Sequence, residues 1–411
     1  MDFDRLVNNN GIYLYEDDSF NTITIKLSFL AGSTNRDCAV IDLLCSYLNS
    51  SNQNFSSDDD IDKRKRELYD MHLHFGNSFY SNQKMFSLNA NLISPNAIND
   101  DYLGEAFDFI RKMLKEPDFT NEEMLEIVKR KMLSNIEIGL LDNEVYASNE
   151  YYQRVLHEEN KVYEYSTDMD YISNLINSIT LDDLKKQYEY IVNSFVSGFV
   201  FGNITKEQFN SFVNSMSLTP IKKEMNLERS LKTLEDDIEL EIDGEQSYIY
   251  VTYDIDNLSY SKLLLLRKIM NSSIGLCYQT LREKYGLVYS SYAAFMYYLK
   301  KMYFYAEIDK DKKNDFLKAL DEIVETLRDK EKLDSLIEVA KSEISADEVT
   351  LSEEADIMLS YLNDYILKLY EGKNRTETFE QIQNLTSDDL IPSTMSLRRK
   401  NVFMVRSSED E

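Results

Sequence analysis

Histidine is the residue type here best suited to metal or acid–base chemistry, and only three occur. His72 and His74 stand two places apart in Met71-His-Leu-His-Phe75, which puts both rings on one side of a strand. Such a pair can bind a metal ion if a third ligand is present. His157, followed by two carboxylates, fits the polar end of a helix. We expect surface or interface histidines, with a metal site at His72 and His74 as an alternative.

Other short motifs that predict a reaction centre are absent from the sequence. It contains no Gly-x-Ser-x-Gly nucleophile elbow, no phosphate-binding Gly-x-x-x-x-Gly-Lys loop and no Gly-x-Gly-x-x-Gly dinucleotide fingerprint. We therefore do not expect this chain to catalyse a reaction by itself.

The most distinctive stretch is Leu281-Arg-Glu-Lys-Tyr-Gly-Leu-Val-Tyr289, preceded by Asn271-Ser-Ser-Ile-Gly-Leu276. It resembles the second-half signature of the pitrilysin/insulinase family of zinc peptidases, the inverzincins, where a helix passes through Gly into a strand that begins with Tyr. Ala31-Gly-Ser33, Ile136-Glu-Ile138 and Asp142-Asn143 also stand in family order. The resemblance implies α+β architecture: two tandem homologous domains, each a mixed sheet packed against helices, forming half of a clamshell.

The zinc motif of that family is degenerate in this sequence. The family needs His-x-x-Glu-His on a first-half helix, with a second Glu ligand roughly 75–80 residues further on. The matching stretch is Ile41-Asp-Leu-Leu-Cys45, so Ile41, Leu44 and Cys45 occupy the motif positions and Asp42 falls one place after the first ligand. Glu137 is a candidate for the distal ligand, but one carboxylate would not hold zinc. We expect no metal or other cofactor in this chain and zinc in a partner subunit.

In the two-chain members of the family, the non-catalytic subunit contributes an Arg and a Tyr that hold the substrate backbone, and Arg282 and Tyr289 match those positions. A guanidinium offers donors to a peptide carbonyl, and these donors strengthen as charge develops on the oxygen. The alternative is that Arg282 forms a salt bridge and that Tyr289 is one of 29 tyrosines packing where they can.

Periodicity predicts strands and helices whose order in the second half repeats that of the first. Ile179-Thr-Leu-Asp-Asp-Leu184 has a counterpart in Leu385-Thr-Ser-Asp-Asp-Leu390, and in both Thr and Asp form a capping-box-like helix start followed by a strand. The simplest account is a duplication. We predict a first domain over residues 1–219, a charged linker over 220–236 and a second domain over 237–411.

Composition excludes several classes of partner. Lys and Arg total 45 against 73 Asp and Glu, a formal net charge of −28, which would repel nucleic acid and anionic lipid. No apolar run reaches the roughly 18 residues of a membrane span, and the start lacks signal-peptide features. Cys38, Cys45 and Cys277 form neither an even disulfide set nor a CxxC pair, which suits a reducing compartment. We therefore predict a cytoplasmic protein.

Together these features predict the non-catalytic, substrate-binding subunit of a heterodimeric zinc metallopeptidase. The glycine-rich loop of the mitochondrial counterpart is missing near 265–280, which favours a bacterial pair. The resemblance then suggests leader removal from, or maturation of, a ribosomally made peptide such as a bacteriocin. A peptide-binding module without proteolysis, serving a modification or export system, is the alternative. A lone peptidase with an unusual metal site at His72 and His74 is a third reading.

Overall fold

The computed structural model describes residues 5–32, 34–55, 57–80, 83–156, 162–221, 234–351 and 355–408. They form two mixed β-sheets, each packed against helices. The predicted α+β class is thereby confirmed. None of the helices in the described part of the chain combines the length and apolar content needed to cross a membrane.

The first sheet has six strands. Its strands are β1 Val7–Asn9, β2 Ile12–Glu16, β3 Thr22–Leu30, β4 His72–Tyr80, β5 Gln83–Ile93 and β6 Phe195–Gly202. Their order in space is β1-β2-β6-β3-β5-β4. Only β2 and β6 pair in parallel, and the other neighbours are antiparallel.

Several helices of the first half begin at side-chain caps, among them α1, α2, α8 and α9. The Thr34 side chain accepts a hydrogen bond from the amide of Asp37 and starts α1, whose apolar side chains are buried. The helices are α1 Asn35–Leu48, α2 Asp58–Glu67, α3 Pro95–Ile98, α4 Leu103–Lys115, α5 Glu122–Leu140, α6 Asn143–Tyr151, α7 Met169–Asn177, α8 Leu181–Val192 and α9 Lys206–Met216, with a π-helical turn over Tyr152–Leu156.

The second sheet has five strands: β7 Ile238–Ile242, β8 Ser247–Asp254, β9 Val288–Met296, β10 Lys301–Ile308 and β11 Arg398–Ser407. Their order is β7-β11-β8-β10-β9, so β9 is an edge strand. The helices of this half are α10 Tyr260–Asn271, the π-helix Cys277–Lys284, α11 Lys313–Arg328, α12 Lys330–Leu351, α13 Ala355–Ile366, α14 Arg375–Asn384 and α15 Ser387–Met395.

The chain divides into two compact units, each with one sheet. One comprises residues 1–137, 168–227 and 352–372, and the other comprises 138–167, 228–351 and 373–411. Each unit thus includes a segment from the other half of the sequence. In the second unit, Tyr151 of α6 stacks on Tyr250, with ring centroids 4.4 Å apart. In the first unit, Leu362 of α13 packs against Phe199 and Phe201.

The predicted bounds of 1–219, 220–236 and 237–411 did not anticipate this exchange of segments. Most of the predicted linker, residues 222–233, lies outside the described residues. The domain bounds therefore stay a prediction.

The predicted repeat of capping boxes is confirmed. Thr180 and Asp183 cap α8, and Thr386 and Asp389 cap α15 in the same reciprocal way. In the first half, α2 begins at Asp58. Ser57 caps it there, and three successive aspartates complement the positive end of the helix dipole.

Candidate functional site

The segment that carries Arg282 and Tyr289 folds back against the helix before it. One face of α10 is buried and carries Leu265, Leu266 and Ile269. The helix ends at Asn271. The chain then turns at Gly275, where an added Cβ would lie 2.7 Å from the Met270 carbonyl oxygen. Glycine at this position lets the π-helix Cys277–Lys284 start beside the end of α10.

A second glycine, Gly286, lies between the end of this π-helix and the start of the edge strand β9. Gly286 has a φ of +59°, in the left-handed region that favours glycine, and a Cβ added there would meet open space. Its N–H donates to the Arg282 carbonyl at 3.0 Å, and the Leu287 N–H donates to the Leu281 carbonyl at 2.9 Å. These bonds satisfy two carbonyl groups at the end of the helix. The Leu281–Tyr289 stretch is thus a helix, a glycine cap and a strand, as the sequence predicts.

A β-bulge determines where Tyr289 points. Between the pairs Ala306–Ser291 and Ile308–Val288, two residues of β9, Tyr289 and Ser290, oppose the single residue Glu307. Bulges of this kind re-aim side chains. Val288 packs in the core with 8% of its surface exposed, whereas Tyr289 is 47% exposed.

The structure brings Arg282 and Tyr289 together. The Arg282 guanidinium donates to the Tyr289 carbonyl oxygen at 3.4 Å and lies 5.8 Å from the centroid of the Tyr278 ring. The Tyr289 hydroxyl donates to the Asp309 carboxylate at 3.0 Å. The Arg282 guanidinium has no ion pair in the described part of the chain, so the salt-bridge alternative for it is not supported.

Arg282 lies in a stretch of sequence rich in exposed aromatic side chains. Of fourteen large apolar side chains that are exposed among the described residues, five fall between 274 and 292: Ile274, Tyr278, Tyr285, Tyr289 and Tyr292. Tyr and Arg are the residue types enriched at binding hot spots. We call these five side chains and Arg282, which share exposure to solvent and one stretch of sequence, the aromatic surface.

Carboxylates flank the aromatic surface. The Ser290 hydroxyl donates to Glu307 at 3.0 Å, and the Tyr285 hydroxyl donates to Glu322 at 2.6 Å. Hydrogen bonds from Lys284 and then from Tyr285 lower the pKa of Glu322, so it is ionised at neutral pH. The surface therefore combines hydrogen-bond donors, aromatic rings and negative charge.

The degenerate metal motif lies on α1, and the side chains at its three positions are buried. Ile41 and Leu44 are fully buried, and neither can ligate a metal ion. Burial raises the pKa of the Cys45 thiol to about 12, so in this structure the thiol is neutral at pH 7. The residues present do not fit a zinc ion.

A buried lysine supplies positive charge beside this motif. The Lys84 ammonium, with 2% of its side chain exposed, lies 2.7 Å from the Asp42 carboxylate and 3.2 Å from the Cys38 carbonyl oxygen. The Asn77 amide donates to the same Asp42 oxygen at 2.7 Å. An ammonium here repels a second cation, which is a further reason why zinc does not fit.

The other candidate ligands are dispersed. His72 and His74 lie on one side of β4 with ring centroids 4.9 Å apart. The pKa of His74 is lowered, mainly by burial and to a lesser extent by the charge of His72. Glu137 is exposed near the end of α5, while Glu122, also exposed, falls in the interval of roughly 75–80 residues after Cys45 that the resemblance implies. His157 lies outside the described residues. In the described ranges, no group of three or more His, Cys, Asp and Glu could hold a metal ion.

Residues 178–344 match the family model described as the peptidase M16 inactive domain, and this segment contains Arg282 and Tyr289. No curated protein matches the chain. A conserved protein from Enterococcus faecalis is similar in structure, with 18% identity, a TM-score of 0.81 and 97% of each chain covered. A peptidase M16 inactive domain from Pseudomonas fluorescens shows 18% identity and a TM-score of 0.75, with 97% of this chain and 96% of that chain covered.

The periplasmic protease PqqL from Escherichia coli shows 11% identity and a TM-score of 0.70. The match covers 97% of this chain but 45% of PqqL. Identities this low establish the shared fold and no more.

Proposed function

We propose that this chain, which is a peptidase M16 homologue of the inactive-domain kind, is the non-catalytic, substrate-binding subunit of a two-chain zinc metallopeptidase. The observation that carries the proposal is the contrast between its two motifs. Arg282 and Tyr289 are exposed and adjacent. The positions of the metal motif are buried and lie beside an ammonium.

The Arg282 guanidinium would bind the main chain of an extended peptide. It is exposed, and its contact with the Tyr289 carbonyl is at the long limit of a hydrogen bond, 3.4 Å, so a peptide carbonyl can replace it at little cost. The Tyr289 hydroxyl can turn from Asp309 to the same peptide oxygen. Both donors strengthen as that oxygen gains negative charge, so they favour the transition state. The zinc-activated water that attacks the peptide would come from the partner.

The comparison with PqqL supports the proposal that this chain works together with a second chain. This chain matches 45% of PqqL, so a single PqqL chain has room for two units of this size. We infer that the present chain obtains the other unit as a separate, zinc-bearing homologue, and that the two close as the halves of a clamshell.

The compartment and the substrate are further parts of the proposal. Cys38, Cys45 and Cys277 are buried and form no disulfide within the described part of the chain, which favours the cytoplasm, although PqqL is described as periplasmic. Leader removal from a ribosomally made peptide such as a bacteriocin rests on the resemblance to bacterial pairs.

One observation favours the alternative of a peptide-binding module without proteolysis. The aromatic surface lies wholly in one compact unit, so it can bind a peptide without a second chain. In that case the chain would deliver a peptide to a modification or export system.

The binding of fluorescein-labelled β-casein, an unfolded polypeptide, tests the proposal through fluorescence anisotropy. We expect the wild-type chain to bind it and Arg282→Ala to weaken binding about tenfold to a hundredfold, the cost of a charged hydrogen bond. Arg130→Ala is the matched control, because Arg130 is also exposed and donates to a backbone carbonyl, that of Glu126 at 3.3 Å. Equal affinities for wild type and Arg282→Ala would contradict the proposal.

A further inference from the structure

Asn271 fastens the edge strand β9 to the end of α10. Its carboxamide nitrogen donates to the Ala293 carbonyl oxygen at 2.8 Å, and the Ala293 N–H donates to its carboxamide oxygen at 2.8 Å. The side chain thus makes the pair of bonds that a neighbouring strand would make. We call this pair of hydrogen bonds a clamp. An edge strand presents unpaired backbone groups, and the clamp satisfies both the N–H and the carbonyl of Ala293.

The first sheet contains the same clamp. The Asn49 carboxamide donates to the Phe75 carbonyl oxygen at 3.0 Å and accepts from the Phe75 N–H at 2.9 Å. Asn49 caps the end of α1, and Phe75 lies in the edge strand β4. Phe75 and Ala293 are both buried. The two clamps occupy corresponding places in the two halves.

The two clamps enclose different segments. The segment between Asn49 and Phe75 contains α2 and a turn. The segment between Asn271 and Ala293 contains Gly275, the π-helix with Arg282, and the bulge with Tyr289. Both ends of the Arg282–Tyr289 segment are therefore fixed to each other by one carboxamide.

We propose that Asn271 is a positioning residue for Arg282 and Tyr289. The inference rests on the proposed function and specifies what holds its site in shape. Tyr289 lies only four residues before the clamped Ala293, and Arg282 lies on the π-helix that begins beside Asn271. Without the clamp the π-helix and the start of β9 gain freedom, and the two donors no longer meet one peptide oxygen. Pre-organisation of this kind contributes to affinity without adding a contact.

Asn271→Ala and Asn49→Ala form a matched pair that tests this role. Each removes two hydrogen bonds between a helix end and an edge strand, so both should lower the urea midpoint by a similar small amount. Only Asn271→Ala should weaken binding of fluorescein-labelled β-casein, by about tenfold. Equal affinities of the two variants, whether both unchanged or both reduced, would overturn the positioning role.

Asn271→Asp adds a readout that general loss of stability would not produce. At pH 7.5 the new carboxylate accepts from the Ala293 N–H but has no proton for the Ala293 carbonyl, so binding should be weak. Lowering the pH toward the ordinary Asp pKa of about 3.9 protonates the new carboxyl and restores a donor, so binding relative to wild type at the same pH should recover. Failure to recover while the variant remains folded contradicts the inference. Absence of binding by the wild-type chain would instead overturn the proposed function, and the positioning role with it.

Discussion

The Lys84 ammonium, on β5, lies 2.7 Å from the carboxylate of Asp42, on α1. The positions beside Asp42 on this helix would carry zinc ligands in an active peptidase. Ile41 and Leu44 are apolar and fully buried. The positive charge of Lys84 and the negative charge of Asp42 thus balance each other within the chain.

Asp42→Ala should be destabilising because it leaves a nearly fully buried ammonium without its carboxylate. Breaking such a pair costs about 3 kcal/mol of unfolding free energy, measured by urea denaturation. Asp108→Ala is the control, since the Asp108–Arg111 pair is partly exposed and should change stability by less than about 1 kcal/mol. Similar losses in the two variants would show that the Lys84–Asp42 pair has no special role.

Sequence patterns could predict α1 and the helix–glycine–strand segment because both depend on local periodicity and capping. They could not identify Lys84, since a lysine in a polar–apolar strand pattern is expected at the surface. Its burial follows from the packing of α1 against the sheet. Asn271 was likewise visible only as part of a motif, because its partner Ala293 is 22 residues away. The bulge at Tyr289 depends on the register with β10, which periodicity does not give.

Tyr289→Phe should weaken binding of fluorescein-labelled β-casein about threefold to tenfold, the value of one neutral hydrogen bond. Tyr69→Phe provides a close control, because Tyr69 is also exposed and its hydroxyl donates to a carboxylate, that of Asp100. Anisotropy titrations of both variants check the difference. If Tyr69→Phe reduced affinity as much, the Tyr289 hydroxyl would have no specific part in binding.

Asp364 should make stability depend on pH. Burial raises its pKa to about 6, and the positive charge of Lys26 acts in the opposite direction. A folded-state pKa above the ordinary value of 3.8 means that the folded chain holds this proton more tightly than the unfolded chain. Its stabilising contribution is full below about pH 4 and is lost as pH rises through 6.

Asp364→Asn removes this dependence. Between pH 4.5 and 7.5, the unfolding free energy of the wild type should fall relative to that of the variant, by about 2 kcal/mol. Urea denaturation at several pH values measures the difference. Parallel pH profiles would show that the Asp364 carboxyl is not protonated preferentially in the folded chain.

Cleavage of fluorescein-labelled β-casein tests the central claim most directly. It should be followed with this chain alone, with a His-x-x-Glu-His-bearing homologue from the same organism alone, and with the two mixed. We predict no turnover by this chain, little by the homologue, and a large increase on mixing that Arg282→Ala abolishes although the two chains still assemble. Turnover by the mixture no greater than that of the homologue alone would contradict the account.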